Sequence, residues 1–323
     1  MKKVRTAFQG ELGAFSQEAV RQLLGDRATV APFQRFDEVF RALSDKTVDA
    51  AVIPIENTLA GSVHENYDHL LEYDVRIVAE TNVRIVHNLI ARPGVRFRDI
   101  RRVFSHPVAL SQCLDFFSGN PGIEKVPYYD TAGSVKTIAS EKLEDAAAIA
   151  SSIAASIYGG HILRRSIEDD RRNYTRFFLL RRTGEARRRG AGGEQWKTSL
   201  VFTTRNTPGA LFRAISAFAL RDLNLTKIES RPLRGKPWEY LFYVDFLGRE
   251  DEERARNALN HLRELADFSS AIASRSVTVR IVPLSSKTTW LRPSSRLVFG
   301  PLSAGVVDAN QRSSIPPRSP PNA

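Results

Sequence analysis

Five short turns are rich in hydroxyl and amide side chains that could bind an anion or move a proton. They read Gly10-Glu11-Leu12-Gly13-Ala14-Phe15-Ser16, Pro54-Ile55-Glu56-Asn57-Thr58, Ser105-His106-Pro107-Val108-Ala109-Leu110-Ser111-Gln112-Cys113, Asp130-Thr131-Ala132-Gly133-Ser134 and Asn173-Tyr174-Thr175-Arg176-Phe177. Each follows or enters an apolar run of strand length, and several open a helix. Hydroxyls, amides and the free N–H groups of helix starts hold carboxylates. Arg176 would add a planar fork. Taken singly, each residue has a plainer reading. Ser16 and Thr131 can cap helices, and His106 ahead of a proline can cap or pack. Glu56 can be a surface carboxylate, Cys113 a core thiol, Thr175 an ordinary strand residue and Arg176 a surface ion-pair partner. Their recurrence at strand ends favours an anion-binding cleft, because open α/β sheets bind ligands there.

Other chemistries lose support. His64, His69, His87, His106, His161 and His261 form no metal-ligand spacing with one another or with cysteine, so no metal is expected. Gly10 and Gly13 make no dinucleotide fingerprint, and there is no P-loop or serine elbow, so no cofactor is expected. Cys113 is the only cysteine, which excludes an internal disulfide. No apolar run approaches the roughly 20 residues a membrane span needs, and no signal-peptide stretch follows the basic start. A soluble cytoplasmic protein without a membrane partner is expected.

The elements that must position these turns belong to two domains, as 323 residues suggest at about 150 per domain. Hydrophobic residues at 42% and charged residues at 26% are ordinary for a globular chain. The net charge of +11 is uneven. Residues 181–194 carry five arginines against two glutamates, a net +3, with four glycines, and read as a flexible linker. Residues 284–323 carry five cations against Asp308, a net +4, with six prolines and eight serines, and read as a disordered tail. The linker has no aromatic residue and the tail only Trp290 and Phe299, which favours solvated segments over nucleic-acid binding.

In residues 1–180, strands are expected over 4–8, 50–55, 124–128, 146–150 and 175–181, and helices over 15–24, 37–43, 108–117, 131–142 and 151–158. That alternation indicates a parallel-type α/β sheet. In residues 195–283, strands over 197–205, 225–232, 239–247 and 276–282 with helices over 208–220 and 251–265 spell βαββαβ, the ferredoxin-like split motif.

In this order, the turn blocks resemble prephenate dehydratase over nearly all of residues 4–282. Asn173-Tyr174-Thr175-Arg176-Phe177, the His106–Cys113 block and Pro54-Ile55-Glu56-Asn57 are the most specific pieces. The second domain resembles an ACT regulatory domain, with Pro208-Gly209-Ala210-Leu211 and Glu229-Ser230-Arg231-Pro232 as its signature turns. The resemblance implies a catalytic domain of two subdomains, similar to periplasmic binding proteins, with the chain crossing near Thr81 and Phe178. It implies decarboxylating dehydration of prephenate to phenylpyruvate on the route to phenylalanine, with arogenate as the alternative substrate. Thr175 becomes the proton donor, and Arg176 its electrostatic support and the holder of a substrate carboxylate. Ser16, Glu56, Asn57, Thr58, His106, Thr131, Ala132, Gly133, Asn173 and Phe177 become substrate-binding candidates. Phenylalanine is implied as effector at Gly209, Ala210, Leu211, Glu229, Ser230, Arg231 and Pro232, in a homodimer or homotetramer. Thr58 stands where Ser is common in the family, Ala14 where Thr is common, and Phe212 where a smaller residue is common. A non-catalytic amino-acid sensor is the rival class, and it would bind ligand without forming product.

Overall fold

The computed structural model describes residues 3–183, 196–204, 206–233, 238–265 and 277–281. Most of the expected linker and the whole expected tail lie outside these residues. The chain runs β1 (Val4–Gln9), α1 (Phe15–Leu24), β2 (Ala28–Phe33), α2 (Phe36–Ser44), β3 (Ala50–Asn57), β4 (Gly61–Ser62), α3 (His64–Glu72) and β5 (Val75–Arg84). A second group follows: β6 (Asn88–Ala91), β7 (Arg102–Ser105), α4 (Pro107–Ser111), α5 (Leu114–Ser118), β8 (Glu124–Pro127), α6 (Thr131–Ser140), β9 (Ala146–Ala150), α7 (Ser152–Ile157) and β10 (His161–Arg164). β11 (Tyr174–Arg182) returns to the first group. The regulatory region is β12 (Trp196–Thr204), α8 (Ala210–Ala219), β13 (Leu225–Pro232), β14 (Tyr240–Leu247), α9 (Glu253–Leu265) and β15 (Val277–Ile281).

Two α/β subdomains result, and both sheets are mixed rather than parallel. β1 pairs in parallel with β2 and β3, whereas β11 runs antiparallel to β3 and β5. The other sheet is ordered β10-β6-β9-β7-β8, parallel at β7–β8 and β7–β9 and antiparallel elsewhere. Helical connections alone would make parallel sheets. The antiparallel strands come from the two crossovers, where the chain leaves one sheet as β5 and re-enters it as β11. Both strands stay hydrogen-bonded along their length, with Phe177 opposite Thr81 and Phe178 opposite Glu80. The crossings therefore fall at residues 85–87, close to the expected Thr81, and at 165–173, ahead of the expected Phe178, which lies inside β11.

Two local differences have clear causes. The helix expected over 108–117 is broken at Gln112 and Cys113, because the Asp169 carboxylate accepts from Leu114 N and Asp115 N at 2.8 and 3.0 Å and caps a second helix there. The second helix of the chain starts at Phe36, one residue ahead of its expected Asp37 cap. The Glu38 carboxylate instead takes the N–H groups of Gln34 and Arg35.

β11 divides two cores by its period-two alternation. Phe177 and Leu179 enter the core under α1 and the second subdomain, while Phe178 and Leu180 enter the core shared with Val201, Leu241 and Tyr243 of the regulatory region. The regulatory strands form the order β13-β14-β12-β15, and β15 pairs in parallel with β5, so one sheet runs through both regions. α8 and α9 cover the sheet's other face through Phe202, Phe218, Phe242 and Phe246. The βαββαβ order is as expected from the sequence.

Candidate active site

The crossovers bring three amides, a hydroxyl and an imidazole together. Asn57, at the end of β3, is the hub. Its Nδ2 lies 2.9 Å from Thr175 Oγ1, 2.7 Å from Asn173 Oδ1 and 3.2 Å from Tyr174 O. Its Oδ1 accepts from Leu59 N and Ala60 N at 3.0 and 2.8 Å, which fixes the ring-like turn after β3. Asn173 is fully buried and donates through Nδ2 to Gln112 Oε1 at 2.8 Å. The same Gln112 oxygen lies 3.0 Å from His87 Nε2. A carbonyl oxygen only accepts, so His87 carries its hydrogen on Nε2. Its Nδ1 is a buried acceptor with no hydrogen-bond partner among the described residues. Burial pushes the His87 pKa below the ordinary 6.5, so the ring is neutral at pH 7.

Thr175 receives the amide N–H of Asn57 on its oxygen, so its own O–H points elsewhere. A hydroxyl polarised by an N–H donor and free to donate is the arrangement a proton donor needs. Glu168 braces the crossover: its side chain is wholly buried, accepting from His87 N at 3.0 Å and pairing with Arg84 at 3.1 Å. The Phe15 ring meets His87 edge-on at 5.8 Å, which places the start of α1 beside this cluster. Ser16 lies in the first turn of that helix, buried; the cap residue is Ala14, without a side-chain bond.

The loop before α1 also ties the subdomains together. Ser151 Oγ donates to Gly13 O at 2.6 Å, and Glu11 accepts from Tyr129 Oη at 2.9 Å and pairs with Lys136 at 3.1 Å. Gly13 has φ +93°, and a Cβ there would lie 2.6 Å from Ala154 Cα.

Several expected ligands have other partners. Arg176 lies on the face of β11 opposite Thr175. Its Nε donates to Glu80 Oε2 at 2.8 Å, its Nη2 reaches the same oxygen, and its Nη1 donates to Asp245 Oδ2 at 2.6 Å. Burial alone would lower its pKa, but Asp245 and Glu80 outweigh that and hold the guanidinium charged. It is therefore a domain-joining arginine and not a carboxylate clamp. Glu56, its register partner, pairs with Lys227 at 3.1 Å on that same face. Phe177 is a core residue. Thr58 uses its hydroxyl on the backbone, donating to Arg172 O at 2.9 Å and accepting from Tyr174 N at 3.0 Å. His106 caps α4, its Nδ1 accepting from Val108 N at 3.3 Å, and burial lowers its pKa.

Thr131, Ala132 and Gly133 open α6, but the N–H of Gly133 is taken by the Asp130 carboxylate at 2.7 Å. Burial raises the Asp130 pKa despite these amide bonds. A depression of about 270 Å³ lined by Leu59, Ala60, Val108, Ser111, Gln112, Asp169 and Asp170 adjoins the amide cluster on its outer side. Its two carboxylates make it a poor seat for an anion. Gln112 and His87 were not singled out from the sequence. Gln112 sits inside the quoted His106–Cys113 block, and a buried amide between two asparagine-bearing turns is the signal that marks it.

In the regulatory region, Gly209 opens α8 with φ +74°, with Ala210 and Leu211 as the first helical residues. The β12–β14–β13 register sets Thr204, Tyr240 and Pro232 in one row, so the Gly209 and Pro232 turns share one end of the sheet. Along β13, Glu229 and Arg231 point toward the catalytic domain, reaching Ser62 at 2.8 Å and Asp68 at 3.2 Å. Ser230 and Pro232 alternate onto the other face and are exposed.

Residues 6–185 match the prephenate dehydratase family, and residues 198–264 match the ACT domain. The arogenate dehydratase/prephenate dehydratase 2 of Arabidopsis thaliana is 45% identical over 281 residues, spanning 84% of this chain and 72% of that protein. The prephenate dehydratase of Arthrobacter aurescens, solved in complex with L-Phe, aligns with a TM-score of 0.75 at 31% identity over 85% of this chain and 89% of its own. GqqA, described as a novel type of quorum quenching acylase, aligns with a TM-score of 0.77 at 31% identity over 86% and 98%. A two-sheet catalytic region joined to an ACT domain defines a lyase of phenylalanine biosynthesis. The chain belongs to the prephenate/arogenate dehydratase family.

Proposed function

We propose that the chain converts prephenate to phenylpyruvate, losing carbon dioxide and water, under feedback by phenylalanine. Hydroxide is a poor leaving group, so the ring hydroxyl must be protonated as it departs. The ring carboxylate leaves as carbon dioxide, its electron pair closing the aromatic system. The hydroxyl of Thr175 supplies the proton, and the observation that carries this is the Asn57 N–H on Thr175 Oγ1 at 2.9 Å. A positioned acid contributes about 10²–10⁴-fold in rate. Arogenate, which differs in carrying an ammonium on its side chain, is the second reading, supported by the 43% identical arogenate dehydratase 2 of Petunia hybrida, while the 45% identical relative is named for both substrates.

The acylase activity named for GqqA fits this site less well. Acyl transfer needs a nucleophile activated by a base. Burial pushes the Cys113 thiol well up, and Thr175 Oγ1 is met by a donor rather than a base.

Phenylalanine is the proposed effector at the Gly209–Leu211 and Glu229–Pro232 turns, where it favours a less active cleft. A homodimer or homotetramer is part of the same proposal. Phe212, Leu220 and Ile228 are 72, 74 and 48% exposed, and β13 has a strand on one side only among the described residues, which supports a second copy covering them.

The test is purified full-length protein incubated separately with prephenate and arogenate, with and without L-phenylalanine, following the aromatic product. Consumption of neither substrate refutes the reading, and ligand binding without product makes the chain a sensor. Turnover indifferent to L-phenylalanine removes the feedback role.

A further inference from the structure

The catalytic and regulatory regions meet across four charged side chains arranged as a crossed square. Arg176 and Glu56 are register partners on β11 and β3, and Asp245 and Lys227 are register partners on β14 and β13. The two pairs face each other with opposite signs in contact: Arg176 Nη1 donates to Asp245 Oδ2 at 2.6 Å, and Lys227 Nζ lies 3.1 Å from Glu56 Oε1. Arg176, Asp245 and Lys227 are 10, 7 and 7% exposed at their side chains. Behind the square, Glu80 takes Arg176 Nε at 2.8 Å and Lys197 Nζ at 2.7 Å, and Lys227 Nζ also lies 3.4 Å from Glu229, so each of these cations meets at least one carboxylate. The Phe178 ring lies 4.7 Å from the guanidinium carbon. Apolar faces tolerate sliding, whereas a planar fork between two carboxylates is satisfied in one register.

The reverse faces of the same two strands hold the amide–hydroxyl pair. Glu56 directly precedes Asn57, and Arg176 directly follows Thr175. Asn57 and Thr175 are themselves register partners. A displacement of β13 and β14 is thus passed through single peptide units from the charged pair to the pair that sets the direction of the Thr175 proton. We propose that Asp245 and Lys227 are positioning residues for Thr175 and Asn57, and that this square is the route by which the state of the regulatory domain reaches the reacting hydroxyl. It rests on Thr175 as the proton donor proposed above.

The test uses full-length Asp245→Asn, Lys227→Gln and Asp245→Glu, with Asp251→Asn in the surface pair with Arg249 as control. Hydrogen exchange over residues 54–58 and 174–178 is compared with residues 4–9 and 146–150. Asp245→Asn and Lys227→Gln should speed exchange in the first two stretches by about fivefold or more and leave the others unchanged. At the same time kcat should fall about tenfold with KM within about threefold, because the loss is in orientation rather than uniform binding. The ratio of turnover without and with saturating L-phenylalanine should move toward one, and Asp245→Glu should recover most of kcat. Unchanged exchange in both stretches in folded Asp245→Asn and Lys227→Gln overturns the proposal whatever the turnover. Loosened strands with unaltered kcat also overturn it. A parent protein that consumes neither substrate refutes the proposed reaction instead, and the exchange experiment still decides the grip.

Discussion

Replacing Thr175 by valine keeps a β-branched side chain of the same shape and removes one hydroxyl. The structure separates its two consequences. Asn57 Nδ2 keeps Asn173 Oδ1 at 2.7 Å and Tyr174 O at 3.2 Å as acceptors, so no buried donor is orphaned. The stability cost is therefore that of one hydrogen bond, about 1 kcal/mol, which lowers Tm by roughly 2–4 °C in a domain of this size. The catalytic cost is that of the acid, about 10²–10⁴ in kcat, or roughly 3–5 kcal/mol of barrier at 1.36 kcal/mol per tenfold. Thr175→Ser restores the donor and should keep kcat within about tenfold of the parent. The assay is ultraviolet absorbance of the aromatic product at saturating substrate, paired with thermal melts by circular dichroism. Retention of more than about a tenth of kcat in Thr175→Val would remove this residue from the acid role, since no positioned acid is worth so little.

Three further outcomes are expected. Burial depresses the His87 pKa below 6.5, so the unfolded chain binds the proton more readily. The stability held by the neutral ring is present above about pH 6.5 and lost as pH falls below it. Melts between about pH 7.5 and 5 should show Tm falling with acid, and His87→Asn should flatten part of that slope; an identical slope would assign the fall to other groups. Arg176→Lys keeps the charge and loses the fork to Glu80 and Asp245, so it should lower stability by about 1–3 kcal/mol while leaving KM within about twofold. A large rise in KM with unchanged Tm would return Arg176 to the substrate. Gly13→Ala drives a Cβ into Ala154 of the other subdomain in a left-handed conformation and should cost about 2–4 kcal/mol, with KM raised. Gly25→Ala, at φ +57° and ψ −145° with open space around it, meets backbone strain of about 1–3 kcal/mol without a steric clash, so equal melts for the two variants would refute the clash.

The turns were legible because they are local. Strand-ending runs, the Pro107 start of a helix and the βαββαβ periodicity are written in ten or twenty consecutive residues, and the elements form close to where the pattern puts them. The break at Gln112 and Cys113 was not legible, because its cause is the carboxylate of Asp169, more than fifty residues away. The mixed sheets were missed for a related reason: β5 alternates apolar and polar residues, but the direction in which β5, β6 and β10 pair is set by the crossovers. The roles of Arg176 and Phe177 failed differently. Adjacent residues in a strand point to opposite faces, so a block read as one functional unit delivers Thr175 to the amide cluster, Arg176 to the regulatory domain and Phe177 to a core.

What the chain's residues determined on their own was part of the catalytic region's elements (not β2, α3, β4 to β7 or β10), the βαββαβ order of the regulatory domain and the strand-end turns that carry amides and hydroxyls. Hydrophobic periodicity and turn chemistry act over short spans, and they need no partner to be read. Tertiary structure alone decided which of those side chains meet: Asn57, Asn173 and Thr175 across 118 residues of chain, Gln112 and His87 behind them, and Arg176 turned away toward Asp245. Those meetings depend on how two sheets and a third region dock, and docking is settled by buried charge and packing between segments far apart in sequence.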